Sequence, residues 1–527
     1  MGIADKEHEA AWVRLPRNYN AVQDFVDRNV AEGRASRAAF IDSNGTLTYG
    51  ALHERTCRFA NLLERIGLRR EQRLALIMLD TNALPVAFWG AIRAGVVPVP
   101  INTMLTGDQY RYILNDCRAP AAIISAELLP AIEGVLADVP CLETVFVSGE
   151  GAPGDYPNLE QALSEVSAEA ATAQTCCDET AFWLYSSGST GRPKGVRHLH
   201  GSPIQTAKLF GQDVLGIGEE DVVFSAAKLF FAYGLGNAMS FPMSVGATTI
   251  LLPDRPTPES VLAIMRAHNP TVFFGVPTLY AALLAHAGMG EGAGSSNLRL
   301  CVSAGEALPK ELGADWKRVA GCDVIDGIGS TEMLHIFISN RPGNVRYGAT
   351  GAPVPGYAVK IVGPDGAEAG ADEIGELMVS GPSAGDGYWN QREKSRATFA
   401  GEWTRTGDNY CRGADGLYYY CGRADDMFKV SGIWVSPFEV ESALIAHESI
   451  LEAAVVGKED GDGLLKPKAF IVLKQGYRCD QQLLEDLKGH VKAAAGKWKY
   501  PRWIEVRDEL PKTATGKIQR FKLRQGE

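Results

Sequence analysis

Residues 185–195, YSSGSTGRPKG, crowd small hydroxylated side chains, three glycines and Lys194 into one short run. Small residues let backbone N–H groups turn inward on an anion, hydroxyls add donors, and a lysine adds a full positive charge. That is the chemistry of a phosphate-binding loop. It is not the P-loop, which places four residues between its glycines and closes on Gly-Lys-Ser/Thr. Here Gly188 and Gly191 are too close, and Gly195 follows Lys194 where a magnesium-binding hydroxyl would stand. Serine- and glycine-rich runs are often flexible linkers. This one follows the apolar, strand-like AFWLY and enters VRHLH without a break in composition, which favours a site.

The run resembles the phosphate loop of the acyl-adenylate-forming enzymes: acyl- and aryl-CoA ligases, luciferases and the adenylation domains of peptide synthetases. Further segments match the same family in the same chain order, over nearly the whole chain. The resemblance implies that Ser187, Gly188, Ser189, Thr190 and Lys194 hold ATP phosphates. It also implies that residues 326–332, DGIGSTE, meet the adenine and the α-phosphate through Asp326 and Gly327. Thr331 then donates to a phosphate and Glu332 holds Mg2+, as suits a hard cation that bridges phosphate oxygens. Asp408 in WTRTGD anchors the ribose hydroxyls. Arg423 in GRADDMFK reaches ribose or phosphate, Asp425 is the hinge, and Ser431 and Gly432 line the pantetheine tunnel. Lys517 in PKTATGKIQR matches the catalytic lysine. A cation is needed there because a carboxylate attacks an anionic phosphate and charge builds on five-coordinate phosphorus. Acetylation of Lys517 would remove that charge.

Residues 228–237, KLFFAYGLGN, lie where the family builds its acyl pocket. No acidic residue occurs between Ser225 and Phe241, which disfavours an amino-acid substrate, whose ammonium needs a carboxylate. Aromatic and small residues suit a flat apolar ring. This stretch, with Ala232, Tyr233 and Gly234, and the His335–Ile336 pair, resembles the benzoate-activating CoA ligases. Gly329 joins the expected pocket.

These groups need a scaffold. Residues 73–80, 96–101, 221–227, 248–253, 270–277 and 298–305 read as apolar strands. They alternate with helical patterns such as 82–95, 258–269 and 278–287. Strand–helix alternation implies parallel sheets covered on both faces, with ligands at the carboxyl ends of strands. The phosphate run after AFWLY, and Ala304, Gly305 and Glu306 after LRLCVS, are expected at such ends. From about Gly343 to Arg423 short strands and Gly/Pro/Asp turns predict a small antiparallel β unit. The tail reads as α+β, with a helix opened by Ser436-Pro437 and Glu439 and a second helix over residues 480–496. Residues 457–468 read as an exposed hairpin loop. The expected organisation is α/β: a large AMP-binding domain over residues 1–424, with doubly wound parallel sheets and the β unit, then a small mobile domain over 425–527.

The bulk numbers agree with this class. A length of 527 residues suggests roughly three or four domain-sized units, and 46% hydrophobic and 22% charged content is ordinary for a globular protein. A net charge of −11 argues against a nucleic-acid partner. Ten cysteines without a Cys-x-x-Cys pair point to reduced thiols in the cytoplasm. Neither a signal peptide nor a membrane span is expected. Lys497, Lys499 and Arg502 read as a surface basic cluster rather than a ligand for the coenzyme A 3′-phosphate. The expected reaction joins a small aryl carboxylic acid to coenzyme A through an aryl-AMP, with ATP and Mg2+, in a monomer or a homodimer. The alternatives are an enzyme that loads a separate acyl-carrier protein, a fused one being unexpected after Lys517, or a ligase preferring a substituted benzoate. A nucleotide sensor would have no need of Lys517.

Overall fold

The computed structural model describes residues 8–150, 156–186, 192–424, 426–430, 433–461, 464–496, 499–512 and 518–525. Residues 73–77, RLALI, are apolar after the first position, and Leu74 to Ile77 are fully buried. Such a strand must be covered on both faces. Among the described residues, Val97–Pro100, Arg73–Ile77, Ala121–Ser125 and Thr144–Ser148 form a parallel sheet in that order. The helix Ala83–Arg93 makes the crossover between the first two strands in sequence.

A second, nine-stranded sheet forms the body of the protein. Its parallel strands run Val324–Gly329, Leu300–Ser303, Val272–Gly275, Val222–Ser225, Thr248–Ile250 and Ala38–Asp42. Antiparallel strands close both edges: Gly45–Thr48 on one, Ile336–Ser339 and Ala352–Pro353 on the other. Successive side chains point to opposite faces. Leu300 and Val302 therefore join one core with Leu74 and Leu76 of the first sheet, while Cys301 joins a separate core with Phe273 and Trp316. The central core is thus shared by the two sheets, and each sheet has another on its outer face. The helix Pro258–His268 opens on a Thr257–Ser260 capping box with Pro258 in its first turn and closes on Asn269 in the left-handed conformation, as its sequence signals.

The β unit pairs Ala358–Val362, Gly375–Ser380, Trp403–Arg412 and Tyr418–Arg423 as antiparallel neighbours. The tail pairs Ile450–Glu459 with Leu465–Leu473, adds Trp503–Val506 in parallel, and packs the helices Pro437–Ile445 and Gln481–Ala495 around its own core. Tyr420 of the β unit meets Phe438 of the tail edge-on, with ring centroids 4.9 Å apart. No described helix is long and apolar enough to cross a membrane.

Two local expectations need correction. The strand before the phosphate run does not belong to a parallel sheet. Thr180–Ser186 pairs antiparallel with Lys194–Leu199 as a separate hairpin, with Ser186 opposite Lys194. The connection is too short for the crossover of a dozen or more residues that a parallel return requires. Residues 457–468 are not mainly loop either. Both flanking strands run into the segment, Glu459 pairs with Leu465, and ladder hydrogen bonds outweigh the local density of charge.

Candidate active site

The most closely tied part of the site lies beside the hairpin. The segment following Gly385 lies against the Lys194–Leu199 strand: Asp386 N–H donates to Arg197 O at 2.8 Å, Arg197 N–H to Gly387 O at 3.1 Å, and Trp389 N–H to Gly195 O at 2.8 Å. Gly385 N–H also donates to Glu332 O at 2.8 Å. A Cβ on Gly385 would come within 2.7 Å of Val196 Cγ1, so the close approach needs glycine. The same pairing delivers Tyr388, which is buried. Its hydroxyl donates to Glu332 Oε1 at 2.8 Å, and Lys194 Nζ stands 4.2 Å from its ring centroid. Ser186 Oγ also reaches Glu332 Oε1, at 3.5 Å. Burial lowers the Lys194 ammonium below its usual pKa. Glu332 opposes that shift, while Lys394 and Arg423 add to it.

Asp408 and Arg423 are register partners on adjacent antiparallel strands. Arg423 Nη1 lies 3.2 Å from Asp408 Oδ1 and also donates to Thr406 O at 3.2 Å. Asp326 takes the last parallel-paired position of the strand Val324–Gly329, in register with Ser303 at the end of its neighbour. It is buried, and its Oδ1 has no hydrogen-bond partner among the described residues. Burial raises its carboxyl well above the usual range, against smaller opposing effects of the backbone at Leu308 and Gly327. Ala304 is buried, Gly305 turns the chain at φ +95°, and Glu306 is half-buried. Gly327 packs under Ile336, whose Cγ2 would lie 2.9 Å from a Cβ there. Thr331 is half-buried, in the turn before Glu332.

The aromatic residues expected in the acyl pocket also come together. Tyr233 O–H donates to Val302 O at 3.0 Å and Gly275 O at 3.2 Å, which sets its ring near the ends of the parallel strands. His335 Nε2 lies 3.0 Å from Asn237 Oδ1 and 3.3 Å from Tyr233 O. The His335 ring stands 5.6 Å from that of Tyr233 and 4.5 Å from that of Phe241. Burial pushes its imidazole down to about 3, so it is neutral at ordinary pH. Three glycines make room: a Cβ on Gly234 would meet Lys228 O at 2.0 Å, on Gly236 His335 Cδ2 at 2.3 Å, and on Gly329 His335 O at 2.6 Å. Ala232 is buried beside them.

Ser187, Gly188, Ser189, Thr190, Asp425, Ser431, Gly432, Lys497 and Lys517 lie outside the described residues. Lys499 clasps both oxygens of Glu439 at 2.6 Å, which fits a structural surface role. Ser186 belongs to the run expected to bind phosphate, but Tyr388 was not among the expected site residues. The glycine-rich GDGY preceding Tyr388 was the only signal, and it reads as a turn until its partners are known. His198, its ring centroid 5.0 Å from that of Phe182 and its imidazole pushed down to about 3 by burial, was likewise not foreseen as unusual. Asp80 was missed as well. Burial lifts its carboxyl to about 6 against the pull of Lys228, whose ammonium donates to the backbone carbonyls of Leu252, Pro253 and Asp254.

Lys194 and Glu332 beside the hairpin, the Asp408–Arg423 pair on the β unit and the aromatic cluster at the strand ends thus stand on the segments expected to meet a nucleotide and an acid. The chain belongs to the AMP-binding enzyme family, which it matches over residues 27–389, with the AMP-binding enzyme C-terminal domain matched over residues 439–517. It is 55% identical to a 4-hydroxybenzoate–CoA/benzoate–CoA ligase of Rhodopseudomonas palustris, over 97% of this chain and 94% of that protein. It is 53% identical to a benzoate–CoA ligase of Thauera aromatica, over 99% of each. The solved structure of a benzoate CoA ligase from Burkholderia xenovorans LB400 superposes with a TM-score of 0.90 at 50% identity, covering 96% of this chain and all of that one.

Proposed function

We propose that the protein is an AMP-forming aryl-CoA ligase acting on benzoate. Similarity over essentially the full length to benzoate–CoA ligases, at 53–55% identity, carries the reading. The clustering of Tyr233 and His335, with no acidic residue between Ser225 and Phe241, supports it.

In the first half-reaction a benzoate oxygen attacks the α-phosphorus of ATP, the bond to the β-phosphate bridge oxygen breaks, and pyrophosphate leaves with that electron pair. Lys194 and the hydroxyls at residues 187, 189 and 190 bind the phosphates, and Asp408 accepts from the ribose hydroxyls. Asp326, with an unpartnered buried oxygen, accepts from the adenine amino group. Thr331 orients the α-phosphate, and Lys517 bridges the carboxylate and that phosphate. Glu332 would hold Mg2+. The donor set fits: Glu332 offers one carboxylate, half-buried beside Lys194 and Tyr388, and magnesium characteristically takes one or two carboxylates plus nucleotide oxygens. Bound there, the ion supplies charge neutralisation on the phosphates.

In the second half-reaction the tail turns about Asp425, Lys517 withdraws, and Ser431 and Gly432 line the path of coenzyme A. The thiol sulfur attacks the acyl carbon, AMP leaves, and the thiol proton passes to solvent or phosphate. Two arrangements of one site serve because the two steps need different groups at one carbon. The ten free thiols suit a reducing cytoplasm. We further propose that 4-hydroxybenzoate is a second substrate, as the name of the Rhodopseudomonas relative suggests.

The test is incubation with Mg-ATP and benzoate, 4-hydroxybenzoate, 2-aminobenzoate, phenylacetate, acetate or octanoate, with and without coenzyme A. Pyrophosphate and thioester are read separately. Thioester forming fastest with benzoate is the expected result. Pyrophosphate without thioester would move the acceptor to a carrier protein, and no turnover with any aryl acid would refute the aryl-CoA ligase reading.

A further inference from the structure

We infer that Tyr388 is a positioning residue that keeps the cation and the carboxylate of the phosphate site apart and aimed. This rests on the reading of Lys194 as a phosphate group and Glu332 as the magnesium carboxylate. Three observations carry it. The phenol hydroxyl donates to Glu332 Oε1 at 2.8 Å. The face of the same ring lies beneath Lys194 Nζ at 4.2 Å. Lys194 and Glu332 influence one another electrostatically, yet among the described residues they form no direct ion pair.

Opposite charges on either side of one ring could otherwise pair, and each would then have to be stripped from the other before meeting nucleotide or metal. One aromatic residue satisfies both without neutralising either. Its ring quadrupole accepts the ammonium, and its hydroxyl fixes one carboxylate oxygen, leaving Oε2 without a hydrogen bond among the described residues. Tyr388 is itself immobile. It is buried, its N–H donates to Ser395 Oγ at 3.0 Å, and it forms a bridge with Val196 of the hairpin strand. Phe399 packs edge-on to its ring at 5.4 Å.

The two functions of the side chain are separable. Tyr388→Phe keeps the ring under Lys194 and deletes only the bond to Glu332, whereas Tyr388→Leu deletes both. The wild-type protein, both variants and Glu332→Gln would be titrated by calorimetry with ATP alone and with Mn2+·ATP. Bound Mn2+ is followed by electron paramagnetic resonance, and folding by thermal melting. Tyr388→Phe is expected to weaken Mn2+·ATP roughly 10- to 100-fold, as for a lost hydrogen bond to a charged group, and to leave ATP alone unchanged. Tyr388→Leu weakens both. Thioester formation from supplied benzoyl-AMP is unaffected in the Phe variant. If Glu332→Gln loses metal-dependent binding while Tyr388→Phe retains it, the positioning role is refuted and the role of Glu332 stands. If Tyr388→Phe loses ATP, Mn2+·ATP and the thioester step alike, its role is general packing and the inference fails. If wild type gains nothing from Mn2+, the reading of Glu332 falls, and the inference with it.

Discussion

Asp408 and Arg423 face each other in register across two antiparallel strands, with Nη1 3.2 Å from Oδ1. The carboxylate is mostly covered, while the guanidinium side chain is 38% exposed. Partly exposed pairs contribute about 1 kcal/mol or less to stability, so this pair is better placed to aim a carboxylate than to hold the β unit together.

Asp408→Asn should therefore leave the melting temperature nearly unchanged while weakening ATP roughly 10-fold or more, because the amide accepts less strongly from ribose hydroxyls. Calorimetric titration alongside thermal melts checks both halves. A large loss of stability with intact ATP affinity would reverse the assignment.

Lys517→Ala should cripple pyrophosphate release from benzoate and ATP, yet spare thioester formation from supplied benzoyl-AMP. Charge on the five-coordinate phosphorus exists only in the first half-reaction. Equal loss of both half-reactions would contradict this division of labour.

Gly236→Ala should damage the acyl pocket. The new methyl would lie 2.3 Å from His335 Cδ2 and 3.1 Å from the Phe241 ring, and the imidazole is hemmed in by Phe210, Tyr233 and Phe241. Overpacking of this kind costs about 1–3 kcal/mol. Urea melts should register that loss, and the KM for benzoate should rise more than the KM for ATP. An unchanged KM for benzoate would remove His335 from the pocket wall.

Stability should fall on mild acidification. Burial holds His198 and His335 at about 3 and His200 at about 4, whereas an unfolded chain protonates histidine near pH 6.5. Between those values the unfolded state binds more protons. The stabilisation is thus complete above about pH 6.5 and is lost as pH falls, by about 1.4 kcal/mol per pH unit for each histidine. Asp80 acts in the opposite sense. Lifted to about 6, it takes up a proton in the folded state first, which offsets part of the loss between about pH 6 and 4. Urea midpoints at pH 7.5, 6.5 and 5.5 should decline, and more steeply in Asp80→Asn. A flat series would contradict the burial of neutral imidazoles.

The parallel sheets were legible because buried strands such as residues 74–77 and 300–302 are apolar throughout and alternate with helical periodicity. The segments holding Glu332, Asp408 and Arg423 could be named because they match the acyl-adenylate-forming family in chain order, whereas the run holding Lys194 is dense enough in hydroxyls and glycines to suggest phosphate by itself. The hairpin was misplaced because an apolar strand carries no mark of its partner's direction. Only the brevity of the connection decided it. Tyr388 was invisible for another reason. Its role depends on contacts with Lys194 and Glu332, both distant in sequence, and a lone tyrosine after glycine carries no sign of either. Asp80 escaped for the same cause: burial, not local sequence, makes it unusual.

The pairing of the Lys194–Leu199 strand with the segment around Gly387 has a bearing on biosynthesis. Arg197 and Asp386 are 189 residues apart in the chain, and Glu332 enters the same corner from between them. Closing so long a loop is entropically slow and must await its far end. On the ribosome, the hairpin therefore emerges long before its third wall is made. The nascent chain cannot complete this corner until the segment around Gly387 has left the exit tunnel, by which point most of the large domain has been translated.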